Sequence, residues 1–169
     1  MKYKEAREQL IRTWGQLSSE WGINRTMGQI HALLMMSPDP LTADQIINEL
    51  AISRGNVSMN LRSLVEWGLV QKVYVTGDRK EYFGAEKDVW KMALRIARER
   101  KQRELDPVIQ SLQTMQNVET DGNDKREVEE LNKMTAEMLD VAMQIDKVLD
   151  IGIRGGGQSL VRKLISVLR

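Results

Sequence analysis

The sequence predicts a mostly α-helical protein with one small β-hairpin. Its low aromatic content, ten methionines and only three prolines favour helices. Apolar residues also recur at intervals of three and four over most of the chain, which is the period of an amphipathic helix. The exception is YVTGDRKEYF at residues 74–83, where two β-branched and aromatic runs flank a glycine-containing break typical of a hairpin.

The composition excludes several classes of protein. The chain has no cysteine, so it has no disulfides, thiolate zinc sites or cysteine nucleophiles. Its formal net charge is +1, so any affinity for nucleic acid must come from local charge. The longest apolar run, at 32–36, is far shorter than the ~20 residues of a membrane span. The charged first ten residues do not resemble a signal peptide. We expect a soluble, cytoplasmic protein that does not act at a membrane.

The sequence offers no set of catalytic or metal-binding residues. His31 is the only histidine, and one histidine without cysteine cannot build a zinc site. No phosphate-binding glycine-rich loop of the G-x-x-x-x-G-K-[ST] type is present. We therefore expect a structural role for His31, no metal or other cofactor, and no enzymatic activity.

Two helices are predicted at the N-terminus. The first covers residues 4–21 and ends at Gly22, and the second runs from Arg25 to Met36, before Pro38. The first helix carries large apolar residues at helical spacing, namely Leu10, Trp14, Leu17 and Trp21.

A pair of short helices follows. Thr42 and Gln45 form a capping box, in which each side chain satisfies a backbone N–H at the start of a helix. Ser53 caps a second helix, which ends at Gly68. Its apolar face consists of Val57, Leu61, Leu64 and Val65. About three residues join the two helices, which is the spacing of a helix-turn-helix.

The hairpin comes directly after this pair. Residues 69–75 alternate as a strand, and residues 80–83 pair with them across a turn at 76–79. A helix pair followed by a hairpin predicts a winged helix-turn-helix.

The second helix of the pair has an unusual exposed face. Opposite its apolar residues lie Gly55, Asn56, Ser58, Met59, Arg62 and Ser63. Mostly short and polar, these residues suit a DNA major groove about 12 Å wide. Residues 53–80 hold five cationic and two acidic side chains, a net charge of +3. The alternative is an ordinary solvated face, but such faces are usually rich in Glu and Lys.

The hairpin tip carries two adjacent cations. Arg79 is expected to enter a minor groove, where the negative potential is concentrated, and Lys80 to contact phosphate. Asp78 would either orient Arg79 or cap the turn. The alternative is a hairpin with ordinary charged turn residues. The full set of predicted DNA-binding residues is Thr42, Ser53, Arg54, Gly55, Asn56, Ser58, Met59, Arg62, Ser63, Arg79 and Lys80.

This part of the chain resembles the MarR-type winged-helix transcription regulators and, within them, the GbsR branch. The resemblance covers residues 41–83 closely, with 25–34 as the preceding helix. Its specific motifs are SRGNVS, LRSL and GDRK. It implies a homodimer formed by the first and C-terminal helices, a pseudo-palindromic operator and repression of nearby genes. Many relatives carry Asp-x-Arg in the wing, whereas Asp78 and Arg79 are adjacent here, so that ion pair is not carried over.

The C-terminal part is predicted to be helical and to dimerise. A helix from Asp88 is interrupted or kinked at Pro107, and 117–124 form a polar loop. The next helix carries an apolar heptad seam, which requires a partner helix. Gly155–Gly157 would be a hinge before a last amphipathic helix. The predicted dimerisation residues are Leu131, Met134, Met138, Val141, Ile145, Val148, Leu164 and Leu168.

Two segments of opposite charge lie in this part of the chain. Residues 91–103 have a net charge of +5 and residues 120–151 a net charge of −5. The basic segment is interpreted either as a second DNA-facing patch or as a helix that complements the acidic one within a dimer. Both interpretations stay open.

The tryptophans raise the question of a ligand. GbsR-type relatives are associated with choline and glycine-betaine sensing, and quaternary ammonium groups bind in aromatic cages. Core packing is the competing explanation. The candidate cage residues are Trp14, Trp21, Trp67 and Trp90, with Tyr3 or Tyr82.

The predicted organisation is an N-terminal dimerisation helix (1–24), a winged helix-turn-helix domain (25–87) and a helical dimerisation region (88–169). The predicted function is that of a dimeric, sequence-specific regulator of double-stranded DNA, a repressor with half-sites about 10 base pairs apart. A protein-interaction module on a helical scaffold is the alternative. Gating by a small-molecule effector would add to the first interpretation.

Overall fold

The computed structural model describes residues 1–120, 122 and 124–154. The chain divides into two compact units, Met1–Arg95 and Ile96–Arg169. The predicted division into three domains at residues 24 and 87 stays a prediction. Within the described residues, no helix is both long enough and apolar enough to cross a membrane.

The protein is mostly helical with a small antiparallel sheet, as predicted. Its elements in chain order are α1 (Tyr3–Glu20), α2 (Arg25–Met36), β1 (Leu41–Thr42), α3 (Ala43–Leu50), α4 (Arg54–Glu66), β2 (Val70–Tyr74), β3 (Glu81–Ala85), α5 (Val89–Arg100), a π-helical turn (Lys101–Leu105), α6 (Asp106–Thr114) and α7 (Lys125–Arg154).

The sheet has three strands in the order β1-β3-β2, one more than the predicted hairpin. Val70 pairs with Ala85 at the base of the hairpin, and Tyr74 pairs with Glu81 near its tip. The additional strand β1 pairs through Thr42 with Tyr82. It therefore connects the start of α3 directly to the wing.

The core of the first unit is centred on α2. The largest fully buried side chains are Ile30, Leu33, Leu34, Ile46, Val57 and Leu64. His31 is also buried and accepts a hydrogen bond at Nδ1 from Trp14 Nε1–H at 3.3 Å. Burial lowers the pKa of His31 to about 4, because the imidazolium would lose its hydration. His31 is thus a neutral core residue, in agreement with the structural role expected for it.

The interface between α1 and α2 differs from the predicted one. The buried residues of α1 are Ile11, Gly15 and Ser18, whereas Leu10 and Trp21 of the expected apolar stripe are exposed. A Cβ added to Gly28 of α2 would lie 2.7 Å from Ser18 Cβ. The two helices therefore pack through small residues that let their backbones approach closely.

The C-terminal end of α2 is closed by a lysine that follows β3. Lys87 Nζ donates hydrogen bonds to the carbonyl oxygens of Leu34 and Met35, both at 2.9 Å, and of Ser37, at 2.6 Å. These are the carbonyls that a helix end leaves without intrahelical partners. Burial of the ammonium lowers the pKa of Lys87.

In the second unit, Pro107 does not end the helical run. The π-helical turn precedes it, and α6 begins at Asp106. Because proline has no N–H and its ring excludes a regular α-helical bond to the previous turn, the wider turn accommodates it. Lys101 in this turn lies 2.7 Å from Asp146 and 3.0 Å from Asp106. Hydrogen bonds to these carboxylates raise the pKa of Lys101.

Lys101 thus joins the predicted basic and acidic segments within one chain, where the sequence analysis had considered complementarity within a dimer. Lys91 and Arg98 of the basic segment are exposed. The alternative role of this segment as a DNA-facing patch stays a prediction.

The heptad seam lies on the exposed side of α7. Its six residues in the described range are 44% to 70% exposed: Leu131, Met134, Met138, Val141, Ile145 and Val148. The buried residues of α7 are the smaller Thr135 and Ala142. The more apolar face of α7 is therefore the one that a single chain leaves in water. The Gly155–Gly157 hinge and the predicted final helix, with Leu164 and Leu168, lie outside the described residues.

Candidate nucleic-acid interface

Two capped helices form the helix-turn-helix. Thr42 Oγ1 accepts a hydrogen bond from the Gln45 amide at 3.3 Å, and Gln45 Oε1 accepts one from the Thr42 amide at 2.8 Å. The Ser53 side chain accepts from the Asn56 amide at 3.4 Å. The connection turns at Ala51, whose φ of +52° lies in the left-handed region that favours glycine. Thr42 and Ser53 serve as caps, and their DNA contacts stay predictions.

The two faces of α4 separate by size and polarity. Val57, Leu61 and Leu64 are buried, as predicted, while Val65 is half-buried. Most of the predicted contact residues on α4 are exposed, namely Arg54, Gly55, Ser58, Met59 and Arg62, and Asn56 and Ser63 are half-buried. A Cβ added to Gly55 would meet no atom of the described residues within 4 Å. The exposed face of α4 is thus open to a large partner.

Asn60 is a buried polar residue that the sequence analysis did not single out. Its Nδ2 donates to the backbone oxygen of Asn56 at 2.8 Å and to Asn56 Oδ1 at 2.7 Å. These bonds fix the orientation of the Asn56 amide at the edge of the exposed face. The buried Asn60 therefore positions Asn56, which is a predicted contact residue.

The wing tip is closed by Asp78. Its Oδ1 accepts from the Lys80 amide at 2.9 Å, and its Oδ2 accepts from the Tyr82 hydroxyl at 2.8 Å. Both hydrogen bonds lower the pKa of Asp78, and the bond from the Lys80 amide has the larger effect. The bond between Tyr82 and Asp78 also raises the pKa of Tyr82. Gly77 adopts a φ of +86°, which the turn requires and glycine permits. Of the two roles considered for Asp78, the structure shows the capping of the turn.

A groove of about 430 Å³ opens between α4 and the wing. It brings together five predicted site residues: Thr42, Arg54, Ser58, Arg62 and Lys80. Its apolar floor consists of Leu61, Val65 and Phe83. Arg79 and the remaining predicted residues do not line this groove.

The groove also contains charged residues that the sequence analysis did not assign to the site. Lys72 of β2 supplies a fourth cation beside Arg54, Arg62 and Lys80. Two carboxylates lie among these cations. Asp44 is 2.6 Å from Arg54, and Glu81 is 2.7 Å from Lys72. Lys72 is paired directly with Phe83, which also lines the groove, so both residues lie on the side of the hairpin that faces α4.

The helix-turn-helix and wing match a known family. Residues 21–81 match the family model described as the MarR family. The match confirms the resemblance predicted from the motifs of α4 and the wing.

Individual relatives carry names that agree with this match. The HTH-type transcriptional repressor GbsR of Bacillus subtilis (strain 168) is 31% identical over 88 residues, which are 52% of this chain and 48% of that protein. The HTH-type transcriptional regulator MmpR5 of Mycobacterium tuberculosis (strain ATCC 25618 / H37Rv) is 35% identical over 51 residues, which are 30% and 31% of the two chains. The matched part of the chain thus spans less than half the length of these curated relatives.

A solved structure shares the fold over a longer range. It is a crystal structure of a transcriptional regulator, superimposed with a TM-score of 0.56 at 20% identity. The superposition covers 83% of this chain and 95% of that one. At this identity the likeness shows the fold alone.

Proposed function

We propose that the chain is a sequence-specific regulator that binds double-stranded DNA and represses transcription. The observation that carries this proposal is the groove between α4 and the wing, with Arg54, Arg62, Lys72 and Lys80 on its walls. Cations so placed attract the phosphate backbone. The MarR-family match and relatives named as transcriptional regulators indicate a regulator and not an enzyme.

In this proposal α4 lies in the major groove. Its exposed face has no side chain at Gly55 and a short one at Ser58, so the helix can approach the base edges closely at these positions. The longer Arg54, Met59 and Arg62 flank them, and the exposed Glu66 lies at the far end of the helix. Arg62 would contact a base edge or a phosphate, and the wing tip would place Arg79 in the neighbouring minor groove. The hydrogen bonds of Asp78 close the turn that carries Arg79.

We also propose that the regulator is a homodimer on a pseudo-palindromic operator. The exposed seam of α7 supports a self-association surface, because six apolar side chains at a and d positions are typical of a helix that packs against another. A second copy would offer the same seam. The two α4 helices would then contact half-sites about 10 base pairs apart. Leu164 and Leu168 are also predicted to belong to this interface.

Gating by a small molecule is a further part of the proposal. Trp67 is buried and Trp14 packs against His31, which favours core packing for these two tryptophans. An effector that binds only the folded state would raise the melting temperature by mass action. A thermal-shift screen with choline, glycine betaine and other metabolites tests this part, and the absence of any shift would remove it.

The central experiment is a fluorescence-anisotropy titration with a random-sequence 30-base-pair duplex at 50 mM and 200 mM salt. The test variant is Arg62→Ala/Arg79→Ala. A charge-matched control is Arg12→Ala/Arg126→Ala, which removes two exposed cations outside the interface.

We expect micromolar or tighter binding that falls steeply with salt, is weakened in the test variant and is retained in the control. Selection from a random library would then define the operator. Absence of binding at 50 mM salt would overturn the DNA proposal and favour the protein-interaction module.

A further inference from the structure

One face of the β2–β3 hairpin continues the cationic groove toward the wing tip. In antiparallel strands alternate residues share a face, and directly paired residues lie on the same side. The pairs Val70–Ala85, Lys72–Phe83 and Tyr74–Glu81 therefore form one face. This face begins in the core at Val70 and ends in solvent at Tyr74, which is 75% exposed.

Lys72 has a carboxylate partner on this face. Its ammonium lies 2.7 Å from Glu81, and both side chains are roughly half exposed. The hydrogen bond to Glu81 raises the pKa of Lys72, so the lysine is charged at neutral pH. An exposed pair of this kind is weak. A second anion that approaches along the groove can replace Glu81 without a large cost.

Tyr74 adds a neutral polar group to the same face. The phenol stands two residues beyond Lys72 on the same strand and is 75% exposed. An exposed tyrosine hydroxyl can donate a hydrogen bond to a phosphate oxygen, a contact that positions DNA without reading its sequence. Lys72 and Tyr74 thus offer one charged and one neutral donor along a single strand.

We propose that Lys72 and Tyr74 form a phosphate-contacting strip on the wing, and that Glu81 holds Lys72 until a DNA phosphate replaces it. This inference rests on the proposed DNA-binding function and extends it to residues that the motif of the wing tip does not include. Because the strip contacts only the backbone, its contribution is the same for every DNA sequence. Specificity stays with α4 and the tip.

A purely structural role for the pair makes a different prediction. If Lys72 and Glu81 served only to hold the two strands together, loss of either partner would weaken the wing and lower the affinity for DNA. If Glu81 competes with phosphate, its loss raises the affinity. The direction of the Glu81 effect therefore separates the two roles.

The test compares single variants of the full chain in the same 30-base-pair titration at 50 mM and 200 mM salt. Lys72→Gln removes the charged donor, Tyr74→Phe removes only the hydroxyl, and Glu81→Gln removes the competing carboxylate. Gln71→Ala is the matched control, because Gln71 is exposed on the opposite face of β2. Thermal melts establish that each variant is folded.

We expect Lys72→Gln to lower the affinity and to reduce the slope of log affinity against log salt by about 0.9, so its deficit shrinks about 3.5-fold between the two salt concentrations. Tyr74→Phe should lower the affinity with the slope unchanged, because a neutral contact releases no counterion. Glu81→Gln should raise the affinity about two- to fivefold. Gln71→Ala should match the wild type.

Two results overturn the inference while the proposed function stands. In the first, the wild type binds DNA, but Lys72→Gln has the same affinity and the same salt slope as Gln71→Ala. The other is a joint loss of affinity in Lys72→Gln and Glu81→Gln, which would assign the pair to the stability of the wing. A wild type that does not bind at 50 mM salt overturns the proposed function, and the strip with it.

Discussion

Helices α4 and α7 both leave one face in water, but the two faces differ in chemistry. The exposed face of α4 is mostly polar, with Gly55 open to solvent and Met59 as an apolar exception, while Val57, Leu61 and Leu64 are buried. Helix α7 has the opposite arrangement, because its apolar seam is exposed and its buried residues are small. A polar face is well hydrated in the free protein and can bind a charged partner reversibly. An apolar seam favours a permanent protein partner, since its hydration is unfavourable.

The largest expected effect concerns the α7 seam. Met138→Glu places a charge in the proposed dimer core, and we expect it to shift the protein to monomers at concentrations where the wild type is dimeric. Ala136→Glu is the control, because it adds the same charge two residues away on an exposed position outside the seam. Analytical ultracentrifugation over a concentration series measures both. If the two variants associate equally, the seam of α7 is not a self-association surface and the proposed difference between the exposed faces of α4 and α7 is wrong.

The next prediction concerns the pH dependence of the first unit. The folded pKa of His31 is about 4, below the unfolded value of 6.5. Between these pH values the unfolded chain binds a proton that the folded chain does not, so the free energy of unfolding falls as the pH falls from 6.5 to 4. The loss amounts to about 3 kcal/mol, and the slope ends below pH 4.

Urea unfolding of wild type and His31→Gln, followed by tryptophan fluorescence, isolates this effect. Carboxylates titrate in both proteins, so the difference between their pH profiles belongs to His31. We expect the difference between the two free energies of unfolding to change between pH 6.5 and 4. This difference should not depend on protein concentration, whereas association through α7 does. A constant difference across this range would contradict the buried, neutral state of the histidine.

A smaller effect is expected at Gly55 on α4. Gly55→Ala should stabilise the helix by about 0.5–1 kcal/mol, because alanine has the higher helix propensity and its Cβ meets no atom in the part of the chain that the structure describes. The same methyl group would stand between the helix and DNA, so the affinity should fall, about tenfold for a loss of about 1.4 kcal/mol. Chemical denaturation and anisotropy measure the two changes. A variant that is more stable and binds DNA as well as the wild type would show that α4 does not approach its partner closely.

The smallest effect is expected at the turn between α3 and α4. Ala51 has a φ of +52°, so Ala51→Gly should relieve strain and raise the free energy of unfolding by about 0.5–1 kcal/mol. DNA affinity and association should stay unchanged, since the turn belongs to neither exposed face. Chemical denaturation gives the stability, and a destabilised variant would contradict the conformation of this turn.

Local signals predicted the elements that depend on neighbouring residues. The capping box at Thr42 and the cap at Ser53 fixed the starts of α3 and α4, because these bonds span only three residues. Strand β1 was missed because its two residues become a strand only by pairing with β3, about forty residues later. The stripe of α1 was misjudged because size and hydropathy do not reveal that Gly15 and Gly28 allow close helix packing.

The candidate site was predictable to a similar extent. Helical periodicity placed Arg62 and Ser58 on one face, and the groove brings both together with Lys80 of the wing. Lys72 and Asn60 were missed for different reasons. The side of β2 that faces α4 depends on tertiary packing, and a buried asparagine that orients Asn56 cannot be distinguished in sequence from an exposed one.

The bonds of Lys87 have a consequence for how the first unit opens. The lysine stands just after the wing and holds the last carbonyls of the most buried helix through three hydrogen bonds. Fraying of the hairpin tip therefore stops at this residue before it reaches α2. In amide hydrogen exchange, the tip at 75–80 should exchange within the fastest class, while the α2 amides exchange only on global unfolding. The wing can thus adapt its shape to a bound surface while the core of the domain stays closed.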